Sequence, residues 1–192
     1  MDQINNAILL GMAQWRAAWL NRAMMDITSL GSMTVATIVT AAAVILFLTM
    51  RRDRIAAATL MTATFGGEAV VEILKRVFRE PRPTAVEHLV EFTGFSFPSG
   101  HSLVSAAAYG TLATLVASYV RDRRVRTAIG TICWSIVALI AISRVYLGVH
   151  YPGDVIAGVI LGIVWRHLSL LIWRAPHRAG YRSWLNRTLP MP

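Results

Sequence analysis

Three short clusters in the middle of this 192-residue chain carry residue types suited to phosphoryl chemistry. Lys75 is followed seven residues later by Arg82-Pro83; then come Pro98-Ser99-Gly100-His101, and Ser143-Arg144 with His150 and Asp154. Lys75, Arg82 and Arg144 can neutralise a phosphate dianion and the charge of its transition state, arginine through a planar bidentate fork. Ser99 suits a helix N-cap, Gly100 lets the backbone come close, and the free N–H groups of that helix start form an anion site. His101, in the same first turn, can donate a proton to a leaving oxygen. Pro152 fits the first position of a helix. Asp154 then falls in its first turn, where negative charge suits the helix dipole and a carboxylate can reach back toward His150 as a capping-box acid does. An aspartate on one ring nitrogen fixes the tautomer and frees the lone pair of the other. His150 is thus a candidate nucleophile and Asp154 its orienter, although spacing alone leaves open which histidine attacks.

The elements that must position these residues are membrane helices. The chain is 55% hydrophobic and 15% charged, with a mean hydropathy of +0.52, where soluble domains carry about 25% charged residues. This excludes a soluble enzyme, a disordered chain and a nucleic-acid-binding module. Cys133 is the single cysteine, so neither an internal disulfide nor a cysteine metal site is available. No metal or cofactor is expected. A span needs about 20 mostly apolar residues, and five stretches qualify: 32–50, 55–78, 102–120, 127–143 and 155–173. Lipid cannot satisfy open backbone groups, so the fold class is all-α. The expectation is one membrane-embedded domain over 1–192: an amphipathic N-terminal segment (1–31), a five-helix transmembrane bundle (32–173) and a basic cytoplasmic tail (174–192). The start of the chain lacks a cleavable signal pattern. Ile8, Met12, Trp15 and Trp19 recur at spacings of four, three and four, which puts them on one helical face. With Arg16 and Arg22 alongside, that face suits the headgroup layer, or else packing on the protein.

Alternation of the five spans sorts the basic residues. Arg51, Arg52, Arg54, Arg121, Arg123, Arg124, Arg126, Arg166, Arg174, Arg178, Arg182 and Arg187 fall on one side, 12 of the 19. The other side has seven: Arg16, Arg22, Lys75, Arg76, Arg79, Arg82 and Arg144. The richer side should be cytoplasmic, with the C-terminus inside and the N-terminus outside. The three clusters then share the opposite face, periplasmic or extracellular, of the cell's inner membrane.

The chain resembles the phosphatidic acid phosphatase type 2 superfamily. Its signatures read here as Lys75-(six residues)-Arg82-Pro83, Pro98-Ser99-Gly100-His101, and Ser143-Arg144-(five residues)-His150-(three residues)-Asp154, eleven positions in the right order and spacing. The resemblance covers about residues 66–162. It implies a metal-independent lipid phosphatase working through a phosphohistidine: His150 attacks phosphorus, His101 protonates the leaving oxygen, and water cleaves the phosphoenzyme with His101 as base. Lys75, Arg82, Ser99, Gly100 and Arg144 would hold the phosphoryl oxygens. The implied substrates are lipid phosphates or diphosphates, among them phosphatidic acid, phosphatidylglycerophosphate, undecaprenyl diphosphate and a lipid A phosphate. Many members have a sixth span before the counterpart of 32–50, and here the first 25 residues are too polar for one.

Other readings stand beside this one. A phosphotransferase would share the phosphohistidine and replace water by an acceptor lipid. An anion transporter or scaffold would need the cations but not the His150/Asp154 pair beside His101. Membrane lipids are the expected surroundings, nucleic acid is not a partner, and no oligomer is read from the sequence. Arg76 and Arg79 read as headgroup anchors, His88, His167 and His177 as plain polar residues, and Ser143 as helix packing or a hydrogen bond behind the phosphate ligands rather than a direct ligand. Glu72 can pair with Arg76 one turn on. Glu68, about 10 Å deeper than Lys75 at 1.5 Å per residue, reads as buried and hydrogen-bonded. Arg166 can snorkel toward headgroups. Gly158 and Gly162 form a small-xxx-small pair that fits packing inside the bundle.

Overall fold

A computed structural model describes the backbone of residues 2–188 and the side chains of residues 3–171. Among the described residues all regular structure is helical: α1 (Asp2–Ala13), α2 (Ala18–Ser29), α3 (Met33–Leu46), α4 (Arg54–Phe78), α5 (Gly100–Ser118), α6 (Arg123–Tyr146) and α7 (Pro152–Thr188). A π-helical turn, Phe47–Arg51, prolongs α3. The expected basic tail, 174–192, lies outside the residues whose side chains are described.

Local chemistry sets the boundaries. Ser32 caps α3 by accepting from the Val35 N–H, Asp53 caps α4 by accepting from Ala56, and Asp122 accepts from Arg124 at the start of α6. These caps stand where apolar runs begin, so each helix starts at the edge of its hydrophobic stretch.

Four helical stretches among the described residues are long and apolar enough to cross a membrane: Met33–Arg51, Arg54–Phe78, Arg123–Tyr146 and Pro152–Leu171. The remaining expected span, 102–120, corresponds to α5, which is not among them. The reason is its position. α5 is the central column, with 12 of its 19 residues buried, and its Ala, Ser, Thr and Gly side chains face other helices rather than lipid. It packs against α4, α6 and α7. Close approach depends on small residues. A Cβ on Gly158 of α7 would meet the Ser99 carbonyl oxygen at 2.7 Å and Ser102 Cβ at 3.0 Å, and Gly162 faces the Leu103 carbonyl in the same way. The glycine pair therefore works inside the bundle. Thr40 and Thr64 hydrogen-bond each other across α3 and α4 at 2.9 Å. Arg166 turns inward, donating to Thr114 Oγ1 on α5 at 2.5 Å, rather than only snorkelling.

The N-terminal segment departs from the single helix expected. It is two helices, broken at residues 14–17. The Arg16 guanidinium donates to the carbonyls of Glu87 (2.9 Å) and Tyr146 (3.0 Å), and these bonds draw the chain out of helical register. Ile8 and Met12 therefore sit on α1, while Trp15 lies in the break and Trp19 on α2, both tryptophans strongly exposed.

Candidate active site

The last turn of α4, the start of α5, the end of α6 and the turn before α7 meet at one end of the bundle. A cavity of about 270 Å³ lies between them. Lys75, Arg82, Gly100, His101, Arg144 and His150 all line it, as do Glu68, Glu72 and the apolar Met33, Val71 and Val104. The long connection between α4 and α5 folds over this end. It is tied to the turn before α7 by Leu89 N–H to the Leu147 carbonyl at 3.1 Å.

His150 sits in that turn and is buried. The turn depends on Gly148, whose φ of +80° favours glycine. A Cβ there would also meet Val86 at 2.8 Å and the Glu87 carbonyl at 2.9 Å. His150 Nδ1 lies 3.5 Å from Asp154 Oδ2. The same oxygen accepts from the Tyr151 N–H at 3.0 Å, which is the backbone half of a capping box at the α7 start. On the other side of the ring, Nε2 is 3.3 Å from Arg82 Nη1. Burial pushes the His150 imidazole below its ordinary pKa, and the Asp154 hydrogen bond opposes that shift. The ring thus presents Nδ1 to the carboxylate and Nε2 to Arg82.

Arg82 makes most of its bonds to its own loop. Its Nε donates to the Gly94 carbonyl (3.1 Å), Nη2 to Thr93 (3.0 Å) and Nη1 to Val149 (2.8 Å), and its guanidinium stacks on Phe92 at 4.6 Å. Arg144, almost fully buried, donates from Nη1 to Thr28 Oγ1 at 2.9 Å, and its buried Nε has no hydrogen-bond partner among the described residues. Glu72 pairs with Arg76 at 3.6 Å, at the rim.

Ser99 and Asp154 lie behind the cavity wall, both buried. Ser99 occupies the N-cap position of α5, but its hydroxyl makes no cap bond. Instead it accepts from Ser102 Oγ at 3.0 Å, while the Ser99 N–H donates to the Asp154 carbonyl at 3.1 Å. The α5 and α7 starts are thereby locked together. Sequence reasoning missed Ser96. Its buried hydroxyl donates to Asp154 Oδ2 at 2.5 Å and lies 3.3 Å from His150 Nδ1. Its position three residues before Ser99 was the only available signal. Among the described residues no cluster of histidines, cysteines or carboxylates could hold a metal ion.

An all-helical bundle of membrane-spanning length, with a cation-lined pocket at one end against which a carboxylate-held histidine packs, places the chain among multi-pass membrane proteins. The chain belongs to the PAP2 superfamily, whose model matches residues 56–178. It is 35% identical over 153 residues to phosphatidylglycerophosphatase B of Bacillus subtilis, covering 78% of this chain and 73% of that one. The crystal structure of a transmembrane PAP2 type phosphatidylglycerolphosphate phosphatase from Bacillus subtilis superposes with a TM-score of 0.77 at 29% identity, over 88% of this chain and 83% of that one. An undecaprenyl-diphosphatase of Sulfolobus acidocaldarius is 32% identical over 132 residues, 66% of this chain and 60% of the relative.

Proposed function

We propose that this multi-pass membrane phosphatase hydrolyses a lipid phosphate or diphosphate through a phosphohistidine on His150. The observation that carries the reading is the single cavity shared by Lys75, Arg82, Gly100, His101, Arg144 and His150. Phosphoryl transfer is mostly positioning and charge stabilisation, and three cations with the free N–H groups at the α5 start supply both. Ser99 contributes by fixing that helix start. In the first step the His150 Nε2 lone pair forms a bond to phosphorus as the bond to the lipid oxygen breaks, and His101 gives that oxygen a proton. In the second, water loses a proton to His101, bonds to phosphorus and displaces the imidazole. Inorganic phosphate leaves and both histidines return to their starting states. Asp154 keeps the proton on Nδ1 throughout. Met33, Val71 and Val104 give the cavity wall an apolar part beside the cations, the chemistry that the first carbons of a lipid tail would meet.

The Bacillus relatives favour phosphatidylglycerophosphate as the first substrate to try, ahead of undecaprenyl diphosphate, phosphatidic acid and lipid A phosphate. The fold is read as five spans, with α5 the buried fifth and the exposed Trp15 and Trp19 at headgroup level. The basic-residue asymmetry supports an inner-membrane protein with the catalytic end away from the cytoplasm and the C-terminus inside.

The test is phosphate release from purified, detergent-solubilised protein in excess EDTA across those four lipids. Release from at least one is expected, and His150→Ala and His101→Ala should abolish it at an unchanged melting temperature. Release that requires a divalent metal, or turnover that survives either substitution, refutes the mechanism. A C-terminal green fluorescent protein fusion checks orientation, fluorescence being expected only with the C-terminus in the cytoplasm.

A further inference from the structure

The N-terminal helices precede the residues that match the family model, which begin at 56, yet the α2–α3 corner reaches the cavity through Gly31 and Met33, and α2 reaches Arg144, which lines it. Thr28, in its last turn, is buried, and its hydroxyl oxygen accepts from Arg144 Nη1 at 2.9 Å across 116 residues of sequence. A guanidinium has two usable edges. With Nη1 engaged by Thr28, the Nε–Nη2 edge is left to make two parallel bonds to a phosphoryl group. Buried Nε, without a hydrogen-bond partner among the described residues, is a donor on that edge. The chemistry of the holder matters. A carboxylate at position 28 would bind Arg144 more tightly but cancel its charge, whereas a neutral hydroxyl fixes the fork and leaves the charge for the substrate. Threonine is also β-branched, so its side chain has few rotamers in a helix.

The rest of this corner packs onto the same site. Gly31 lines the cavity, and a Cβ there would meet Ile140 Cγ2 at 2.6 Å and the His101 ring at 3.2 Å. Tyr109 of α5 donates to the Leu30 carbonyl at 2.6 Å, which holds the corner in place. The end of α6 is held from the same side, by Tyr146 hydroxyl to Asn21 Oδ1 at 2.7 Å and by Arg16 to the Tyr146 carbonyl at 3.0 Å.

We infer that Thr28 is a positioning residue that aims the Arg144 guanidinium at the phosphoryl group, making the α2–α3 corner a wall of the site. This rests on the phosphatase reading above. Its test compares the wild type with Thr28→Val, Thr28→Ser and, as a neighbouring control, Ser29→Ala, by steady-state phosphate release and by orthovanadate inhibition. Valine keeps the shape and removes the acceptor. Bonds to a charged group are among the stronger ones, so Thr28→Val should raise KM and the vanadate inhibition constant about tenfold or more. Thr28→Ser should return both to within about threefold of wild type, and Ser29→Ala should leave both unchanged. Wild-type vanadate inhibition in Thr28→Val overturns the inference. So does a loss that serine fails to rescue and that follows melting temperature, because the role is then structural. A wild-type protein that neither releases phosphate nor responds to vanadate overturns the phosphatase reading itself.

Discussion

The Ser96 hydroxyl donates to Asp154 Oδ2 at 2.5 Å, joining the end of the long α4–α5 connection to the first turn of α7. The same carboxylate oxygen serves His150 Nδ1 at 3.5 Å and the Tyr151 N–H at 3.0 Å. Asp154 is therefore aimed by two donors before it can aim the imidazole. Hydrogen bonds to charged groups contribute about 1.5–3 kcal/mol. Ser96→Ala should lower kcat by about tenfold or more with little change in KM, since the cations that hold the phosphate are untouched. Steady-state kinetics on the preferred lipid decides it, and an unchanged kcat would remove Ser96 from the site.

The pH profile carries a definite sign. His150 must be neutral to attack, and activity falls as pH drops through its pKa. Burial lowers that pKa, and Asp154 raises it again in part. The acidic limb of kcat/KM should therefore lie below the ordinary imidazole value of about 6.5. Asp154→Asn removes the opposing influence, so its limb should move to still lower pH while kcat falls. Measuring both proteins on one substrate cancels the titration of the substrate phosphate. A limb that moves upward in Asp154→Asn would contradict the assignment. Linkage runs the same way. A histidine kept neutral by folding contributes stability above its unfolded pKa, and that contribution is lost as pH falls toward the folded value.

Arg82 and Lys75 should separate in their effects. Arg82 donates to the carbonyls of Thr93, Gly94 and Val149, so it builds the loop over the cavity as well as charging it. Lysine cannot reproduce a planar fork. Arg82→Lys should lose most activity and lower the melting temperature by several degrees, at about 2–4 °C per kcal/mol for a chain of this size. Lys75→Gln removes a cavity charge without loop bonds, and should raise KM at a nearly constant melting temperature. Thermal melts in detergent beside kinetics separate the two. Equal melting temperatures in the two variants would show that Arg82 does not hold the loop.

What the sequence made legible follows from how local each signal was. The apolar runs are near-neighbour effects: the expected spans 32–50 and 55–78 fall on α3 with its π-helical turn and on α4, whereas 127–143 stops short of α6 at both ends, because its first and last turns carry arginines. Asp154 is four residues from His150, so helix geometry could relate them. Ser96 and Thr28 are 58 and 116 residues from their partners, and no periodicity connects them. The break between α1 and α2 was hidden for the same reason, since the carbonyls that hold Arg16 belong to residues 87 and 146. In α5 the ordinary hydropathy signal is weak because its neighbours are helices, for which small residues matter more than apolar ones.

That last point gives a prediction about how the bundle aligns its catalytic end. Gly158 lies where α7 crosses the start of α5, and a Cβ there would press on the Ser99 carbonyl at 2.7 Å and on Ser102 Cβ at 3.0 Å. Neither is the flexible tip of a long side chain, so the helices must move apart. That motion displaces Ser99, Gly100 and His101 from the turn carrying His150, to which they are tied by the Ser99 N–H bond to the Asp154 carbonyl. Gly158→Ala should therefore lower both the melting temperature and kcat. Gly130, inside α6 with nothing within 4 Å of its Cβ position, is the matching control. There alanine should stabilise by up to about 1 kcal/mol through helix propensity alone and leave kcat unchanged. If Gly158→Ala melts and turns over like the wild type, the two helices tolerate separation, and the close α5–α7 crossing is not what sets the geometry of the site.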